Sequence, residues 1–182
     1  MPRHSKSIIQ LVREENIKIF AEIGVLKGVN LRNILRSDIA PMIEEYWAID
    51  PWVPYTEQAY TYLTSEQWHA MYTRVCKYAR YFKQLRPIRL TSTEAATIFP
   101  DEYFDMVYID AHHIYPAVSR DIKVWLPKVK IGGILGGHDF NLQGVRDAVH
   151  DNLTGVWDAP HQPGRRGLNV ARTLVWLKRR EE

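Results

Sequence analysis

Ile17-Lys18-Ile19-Phe20-Ala21-Glu22-Ile23-Gly24 is a short, mostly apolar run that stops on a glycine. A strand buried on both faces of a parallel sheet reads this way, because neither face is left to polar residues. Leu31, Ile34 and Leu35 follow at helical spacing and predict a helix over 28–37. Tyr46-Trp47-Ala48-Ile49 is a second strand, ended by Asp50-Pro51. The rest of the chain repeats this unit. A helical stripe (Trp68, Met71, Tyr72, Val75, Ala79, Phe82) precedes a third strand, Ile88-Arg89-Leu90, and a short helix beginning near Ser92. A fourth strand covers 104–109 and ends at Asp110. Val118, Ile122, Trp125 and Leu126 predict a helix over 115–127. The fifth strand, 131–137, is punctuated by glycines and ends at His138-Asp139. Ile8, Leu11 and Val12 suggest a leading helix, and Val145, Ala148 and Val149 a late one. Two further runs, 155–157 and 173–177, could pair as a closing hairpin.

Strands alternating with helices imply βαβ units and a parallel sheet covered on both faces. The chain has 182 residues, which fits one domain spanning 1–182. Its 46% hydrophobic and 25% charged content excludes disordered and fibrous classes. No apolar run approaches the ~20 residues needed to cross a bilayer, and the N-terminal apolar segment is too short for a signal peptide. The lone Cys76 offers neither an internal disulfide nor a cysteine zinc site. The chain reads as soluble and cytoplasmic. Net charge is only +3. Arg165-Arg166 and Lys178-Arg179-Arg180 could touch phosphate, but Glu181-Glu182 offset the tail and no nucleic-acid motif accompanies them, so a nucleic-acid partner is not expected.

In open α/β sheets, ligands bind beyond the carboxyl ends of the strands, and here those ends carry the unusual residues. Gly24 admits a tight turn and a close approach of ligand to backbone. Glu22 just before it would repel a pyrophosphate but welcome an amino group. Gly24 and Gly28 are spaced Gly-x-x-x-Gly, not Gly-x-Gly-x-x-Gly, which counts against a dinucleotide. Asp50 suits a bidentate bond to two ribose hydroxyls, although a turn aspartate before Pro51 is the plainer alternative. Asp110, His113, His138 and Asp139 gather carboxylates and imidazoles at adjacent strand ends.

Three segments (Glu22-x-Gly24-x-x-x-Gly28, Ala48-Ile49-Asp50-Pro51-Trp52 and Ser92-x-Glu94-Ala95-Ala96) resemble the cofactor-binding motifs of class I S-adenosylmethionine-dependent methyltransferases. The run from Phe104 through Ile109-Asp110-Ala111-His112-His113 to Tyr115, with Asp121, Trp125 and Gly132 to Phe140, resembles a branch of small methyltransferases. That branch is related to the metal-dependent O-methyltransferases of the catechol type. The resemblance covers about residues 17–150. It implies a three-layer αβα sandwich around a mostly parallel, Rossmann-like sheet of seven strands, the last antiparallel.

By position, the resemblance implies that Gly24 and Gly28 line the methionine portion of S-adenosyl-L-methionine, with Glu22 near its amino group and Asp110 close by. Asp50 would bind ribose, and Ser92 with Thr93 would lie near adenine. Asp110 and Asp139 match two carboxylate ligands of a divalent metal, but relatives place Asn or Asp where this chain has Phe140. Histidine ligands would then favour a transition ion over Mg2+. Alternatively His113 or His138, oriented by Asp110 or Asp139, removes the acceptor's proton without metal; His112 is the weaker candidate. Trp52 and Tyr115 are candidate substrate contacts. An aromatic loop over 51–66, with Tyr55, Tyr60 and Tyr62, and then Trp68, is a candidate cover. The expected activity is methylation of an oxygen on a small-molecule or sugar-like acceptor, with a homo-oligomer as a possible assembly. An NAD(P)-linked oxidoreductase and a non-catalytic cofactor-binding domain are the alternatives.

Overall fold

The computed structural model describes residues 3–54, 62–158 and 175–181. In chain order the elements are α1 (Arg3–Glu15), β1 (Ile19–Ile23), α2 (Val29–Leu35), β2 (Glu45–Ile49), α3 (Ser65–Ala79), β3 (Leu85–Ile88) and α4 (Ser92–Ala96). They continue with β4 (Phe104–Ile109), α5 (Tyr115–Trp125), β5 (Val129–Gly137), α6 (Gln143–Asn152), β6 (Trp157–Asp158) and β7 (Trp176–Arg179). One sheet takes them in the order β3-β2-β1-β4-β5-β7-β6. β1 to β5 are parallel, and β7 runs antiparallel to β5 and β6. Six of the seven strands have four residues or more, and β6 is a two-residue edge. The expected pairing of the last two strands is present, with Trp157 opposite Leu177, but the strands lie later than the runs 155–157 and 173–177, and residues 173 and 174 fall outside the described residues.

Each central strand buries both faces. Phe20, Tyr46, Ala48, Met106 and Tyr108 point into one apolar cluster with α1, α2 and α3. Ala21, Ile23, Ile49, Val107, Ile109 and Leu135 point into another with α4, α5 and α6. The period-2 alternation of a strand therefore feeds two cores, which explains the unbroken apolar runs. Capping boxes start α3 (Thr64 with Gln67) and α4 (Thr91 with Glu94), each satisfying amides that the first helical turn leaves open.

The bounds of β3 and α5 differ from expectation for physical reasons. β3 lies earlier than Ile88-Arg89-Leu90 and runs through Pro87. Proline lacks an amide donor, but β3 is an edge strand with a partner on one side only, where that loss is tolerated. The helix expected over 115–127 stops at Trp125 and tightens into a 3-10 turn around Pro127. No helix among the described residues is long and apolar enough to cross a membrane.

The strand order reverses between β1 and β4, which opens a crevice at their carboxyl ends. The residue just past each strand is still held by its neighbour. The Gly24 amide donates to the Ile49 carbonyl, Asp50 to Ile88, Asp110 to Ile23 and His138 to Ile109, all at 2.7–3.2 Å. Four residues of the rim are thus fixed by the sheet itself rather than by loops.

Candidate functional site

These strand ends surround a cavity of about 610 Å3, within the usual range for a small-molecule site. Of the residues expected at a site, Glu22, Gly24, Asp50, Ser92, Asp110, His113, His138 and Asp139 all line it, as does His112.

At its floor, Glu22 is 1% exposed. Ser5 Oγ donates to Asn30 Oδ1 (2.8 Å), which turns the other end of that amide toward Glu22: Asn30 Nδ2 donates to Oε1 at 3.0 Å. Tyr46 Oη donates to Oε2 at 2.7 Å. Burial pushes the Glu22 carboxyl up to about 8 against these two hydrogen bonds, and the nearby Asp110 and Asp50 charges push the same way. An acid whose folded pKa lies above its unfolded value binds more protons when folded. Its contribution is fully present below the ordinary value of 4.5 and is lost as pH rises through about 8. The ligand-free protein should lose up to about 4–5 kcal/mol from this group across that window. Denaturant melts at pH 5.5 and 8.5 should show Glu22→Gln losing far less stability than wild type; parallel losses would refute the assignment.

Asp50 is 7% exposed and holds the β1–α2 turn. Its Oδ2 accepts the amides of Val25 (3.0 Å) and Leu26 (2.9 Å), and Oδ1 accepts the Trp52 amide (2.7 Å). Burial raises its pKa, while these three amides oppose the rise. A carboxylate offers about four acceptor positions, so roughly one remains for a ligand. The three amides thus take up most of the acceptor capacity of Asp50.

At the β4 and β5 ends, His113 Nε2 stands 2.9 Å and His138 Nδ1 3.1 Å from the same oxygen, Asp139 Oδ2. Asp110 Oδ1 lies 3.6 Å from His138 Nδ1 and 4.0 Å from His113 Nε2. Burial alone would raise the Asp139 carboxyl, but hydrogen bonds from His113 and His138 and their charges hold it well below the usual carboxylate range. Burial disfavours charge on His138, yet the Asp139 hydrogen bond and the Asp110 and Asp139 charges outweigh it and raise its pKa. Donor atoms of Asp110, His113 and Asp139 all lie within 4.8 Å of one another, close enough to share an ion. Phe140 is buried in the core against His150, so the position after Asp139 contributes no ligand.

Other expected contacts fall outside the cavity lining. Trp52 is fully buried: its Nε1 donates to the Leu26 carbonyl (2.9 Å) and its ring packs on Tyr72. A large ring beside an apolar cluster gains more by entering the core than by waiting at a mouth for substrate. Trp68 is likewise core, as its helical stripe implied. The Tyr115 hydroxyl donates to Asp151 (2.8 Å), tying α5 to α6, and is not part of the lining. Gly28 faces Val75 of α3 with φ of 68°, so its glycine serves the helix start. Thr93 is also off the cavity; Thr91, the α4 cap, lines it instead. Tyr62 is exposed, and Tyr55, Tyr60, Arg165 and Arg166 lie outside the described residues.

Among the lining residues left without a role in the sequence is a buried acid on α5. Asp121 is 3% exposed, and burial pushes its carboxyl up to about 6. The signal was present: it sits three residues after Val118 and four before Trp125, an acid within the apolar stripe of α5.

Residues 21–140 match the model of a family described as a methyltransferase domain. The uncharacterized protein y4gI of Sinorhizobium fredii (strain NBRC 101917 / NGR234) is 26% identical over 159 residues, which is 85% of this chain. The chain spans only 16% of the length of that curated relative. Among solved structures, the cofactor-bound Rv0187 of MTB superposes with a TM-score of 0.64 at 14% identity, covering 100% of this chain and 82% of the other. The N-methyltransferase NodS of Bradyrhizobium japonicum gives a TM-score of 0.58 at 13% identity, covering 96% and 91%. At such identities the structural likeness speaks for the fold alone.

Proposed function

The chain belongs to the family of methyltransferase domains, class I S-adenosylmethionine-dependent enzymes, and on that premise we propose that it methylates an oxygen of a small-molecule or sugar-like acceptor. The observation that carries this reading is the row of sheet-anchored residues, Gly24, Asp50, Asp110 and His138, around one cavity with a buried acid, Glu22, at its floor.

The residues fit the cofactor. Gly24 lines the cavity, and its missing Cβ lets the turn after β1 lie directly against the Asp110 and Ala111 backbone. Glu22 is a buried acid whose ionised form an ammonium would favour, and Asp50 retains an acceptor for one ribose hydroxyl. When bound, S-adenosylmethionine supplies a methyl group on a positively charged sulfur. The remaining work falls to the chain. Holding donor and acceptor in line can lower the barrier by roughly 7–11 kcal/mol. Proton removal from the acceptor hydroxyl falls to the His113–Asp139–His138 cluster, where Asp139 orients both imidazoles and stabilises the one that becomes charged. Asp110, His113 and Asp139 also fit a divalent ion, and their mixed nitrogen and oxygen donors suit a transition ion better than Mg2+. Such an ion would acidify the acceptor hydroxyl.

Titration calorimetry with S-adenosylhomocysteine should give saturable heat. At 100 times its Kd the ligand should add about 2.7 kcal/mol of stability. NADH should do neither, since the dinucleotide glycine fingerprint is absent. Absence of binding by both S-adenosylmethionine and S-adenosylhomocysteine would overturn the proposal.

A further inference from the structure

The Lys and Arg residues of this chain are not spread evenly along it. Residues 24–37 and 67–93 hold nine of the 24, and none of the 21 Asp and Glu. The first stretch contains α2, and the second most of α3 with β3. Packing brings the two stretches together. Gly28 at the head of α2 lies against Val75 and Tyr78 of α3. Gln84 Nε2, in the turn after α3, donates to the Ala40 carbonyl after α2 at 3.1 Å. Both helices turn their apolar residues into one core cluster, on the same side of the sheet. Their outer side therefore carries one sign of charge.

Elsewhere the fold neutralises its cations. Lys128 meets Asp101, Lys130 meets Asp105 and Arg179 meets Glu15, each at 2.7 Å. The acids that follow α2 are also engaged, Asp38 by Arg13 and Glu44 by Lys18. By contrast Arg32, Arg36, Arg74, Lys77, Arg80 and Lys83 are all exposed, and none has an acidic partner among the described residues. Arg32 and Arg36 stand four residues apart, and Arg74, Lys77 and Arg80 three apart. Like charges at those spacings repel and weaken a helix. Such a face is complementary to a polyanion.

The apolar residues say which kind. α3 commits Trp68, Met71 and Val75 to the core, so it has no apolar side left to sink into a lipid surface, as an interfacial helix must. What it presents instead is a single ring: Tyr81, just past the helix and flanked by Arg80 and Lys83, is 81% exposed. Four of the six cations are Arg, whose planar fork matches phosphate oxygens. Cations that track a backbone beside an aromatic ring that stacks on a base are the means by which single strands are held.

We infer that the outer side of α2 and α3 binds single-stranded nucleic acid, its cations on the phosphates and Tyr81 stacked on a base. None of these residues lines the cavity, so the inference stands apart from the proposed cofactor. The expectation of no such partner weighed the cations near 165 and 179; this second set is assembled only when α2 packs on α3.

The test follows a fluorescent RNA of about 12 nucleotides by anisotropy. Wild-type affinity should fall about 100-fold between about 50 and 200 mM salt, as for about five neutralised phosphates. Lys77→Glu should lose at least about tenfold. Lys123→Glu, the same charge change at an exposed position of α5 on the other side of the sheet, should stay within about threefold. Tyr81→Ala should weaken binding about fivefold or more with an unchanged salt slope, and Tyr81→Trp should restore it. All four substitutions are at exposed positions, and melts should confirm that each variant folds as wild type does. Equal losses in Lys77→Glu and Lys123→Glu would reduce the effect to net charge and overturn the inference. So would an unaltered affinity in Tyr81→Ala, or heparin or phosphatidylserine vesicles binding as tightly as the RNA. If wild type binds S-adenosylhomocysteine but no RNA, this inference alone falls.

Discussion

Gly24→Ala is expected to abolish binding of S-adenosylhomocysteine and to destabilise the fold. An added Cβ would lie 2.2 Å from the Asp110 carbonyl oxygen and 2.6 Å from Ala111 Cα. Both contacts are backbone, so no flexible side chain can swing away. The φ of 89° is also strained for any residue with a Cβ. Relief would require β1 and β4 to part just where the Asp110 amide bonds the Ile23 carbonyl at 2.7 Å. Backbone strain of about 1–3 kcal/mol and overpacking of about 1–3 kcal/mol together give a loss of roughly 2–6 kcal/mol in a urea melt. Gly28→Ala is the control. There the φ of 68° is strained but the nearest atom is a Val75 methyl at 3.2 Å, away from the cavity. This variant should lose stability yet keep ligand affinity within about threefold once folded. Affinity in Gly24→Ala within tenfold of wild type would refute the close approach at this glycine.

The second large effect concerns Asp139→Asn. This substitution keeps the shape but removes the charge that both histidines share. His138 loses the hydrogen bond and part of the charge that raise its pKa, so its protonated form becomes less favourable. The methyl-transfer rate should fall about 10^2–10^4-fold, the usual worth of a positioned base. The Kd for S-adenosylhomocysteine should move by less than threefold, because Asp139 lies at the β5 end, three strands from Asp50. A matched loss of affinity and rate would instead make Asp139 a ligand-binding residue. Repeating the assay after chelator treatment separates the two uses of the cluster. Rate lost with the chelator and restored by a transition ion would assign Asp110, His113 and Asp139 to a metal.

Much of the site was legible because strand ends are legible. An apolar run cannot continue past the point where the chain must leave the sheet, so the first polar residue after it marks the rim. Gly24, Asp50, Asp110, His138 and Asp139 were all found that way, and all reach the cavity. Side-chain direction beyond the rim was not legible. Trp52 and Tyr115 stand next to site residues in the chain, yet one is drawn into the core beside Tyr72 and the other bonds Asp151 on a neighbouring helix. Asp121 shows the reverse case, lying 29 residues from its partner Ser92 and meeting it only when α5 packs against α4.

The residues alone determined the alternation of strand and helix, the parallel sheet and the polar identity of its carboxyl edge, since these follow from local periodicity and from where apolar runs stop. Tertiary structure decided which polar atoms remain available to a ligand. Asp50 has three of its acceptor positions taken by the turn it supports, while Asp121 keeps one whole oxygen. That difference depends on donors brought in from distant segments, and no spacing along the chain encodes it.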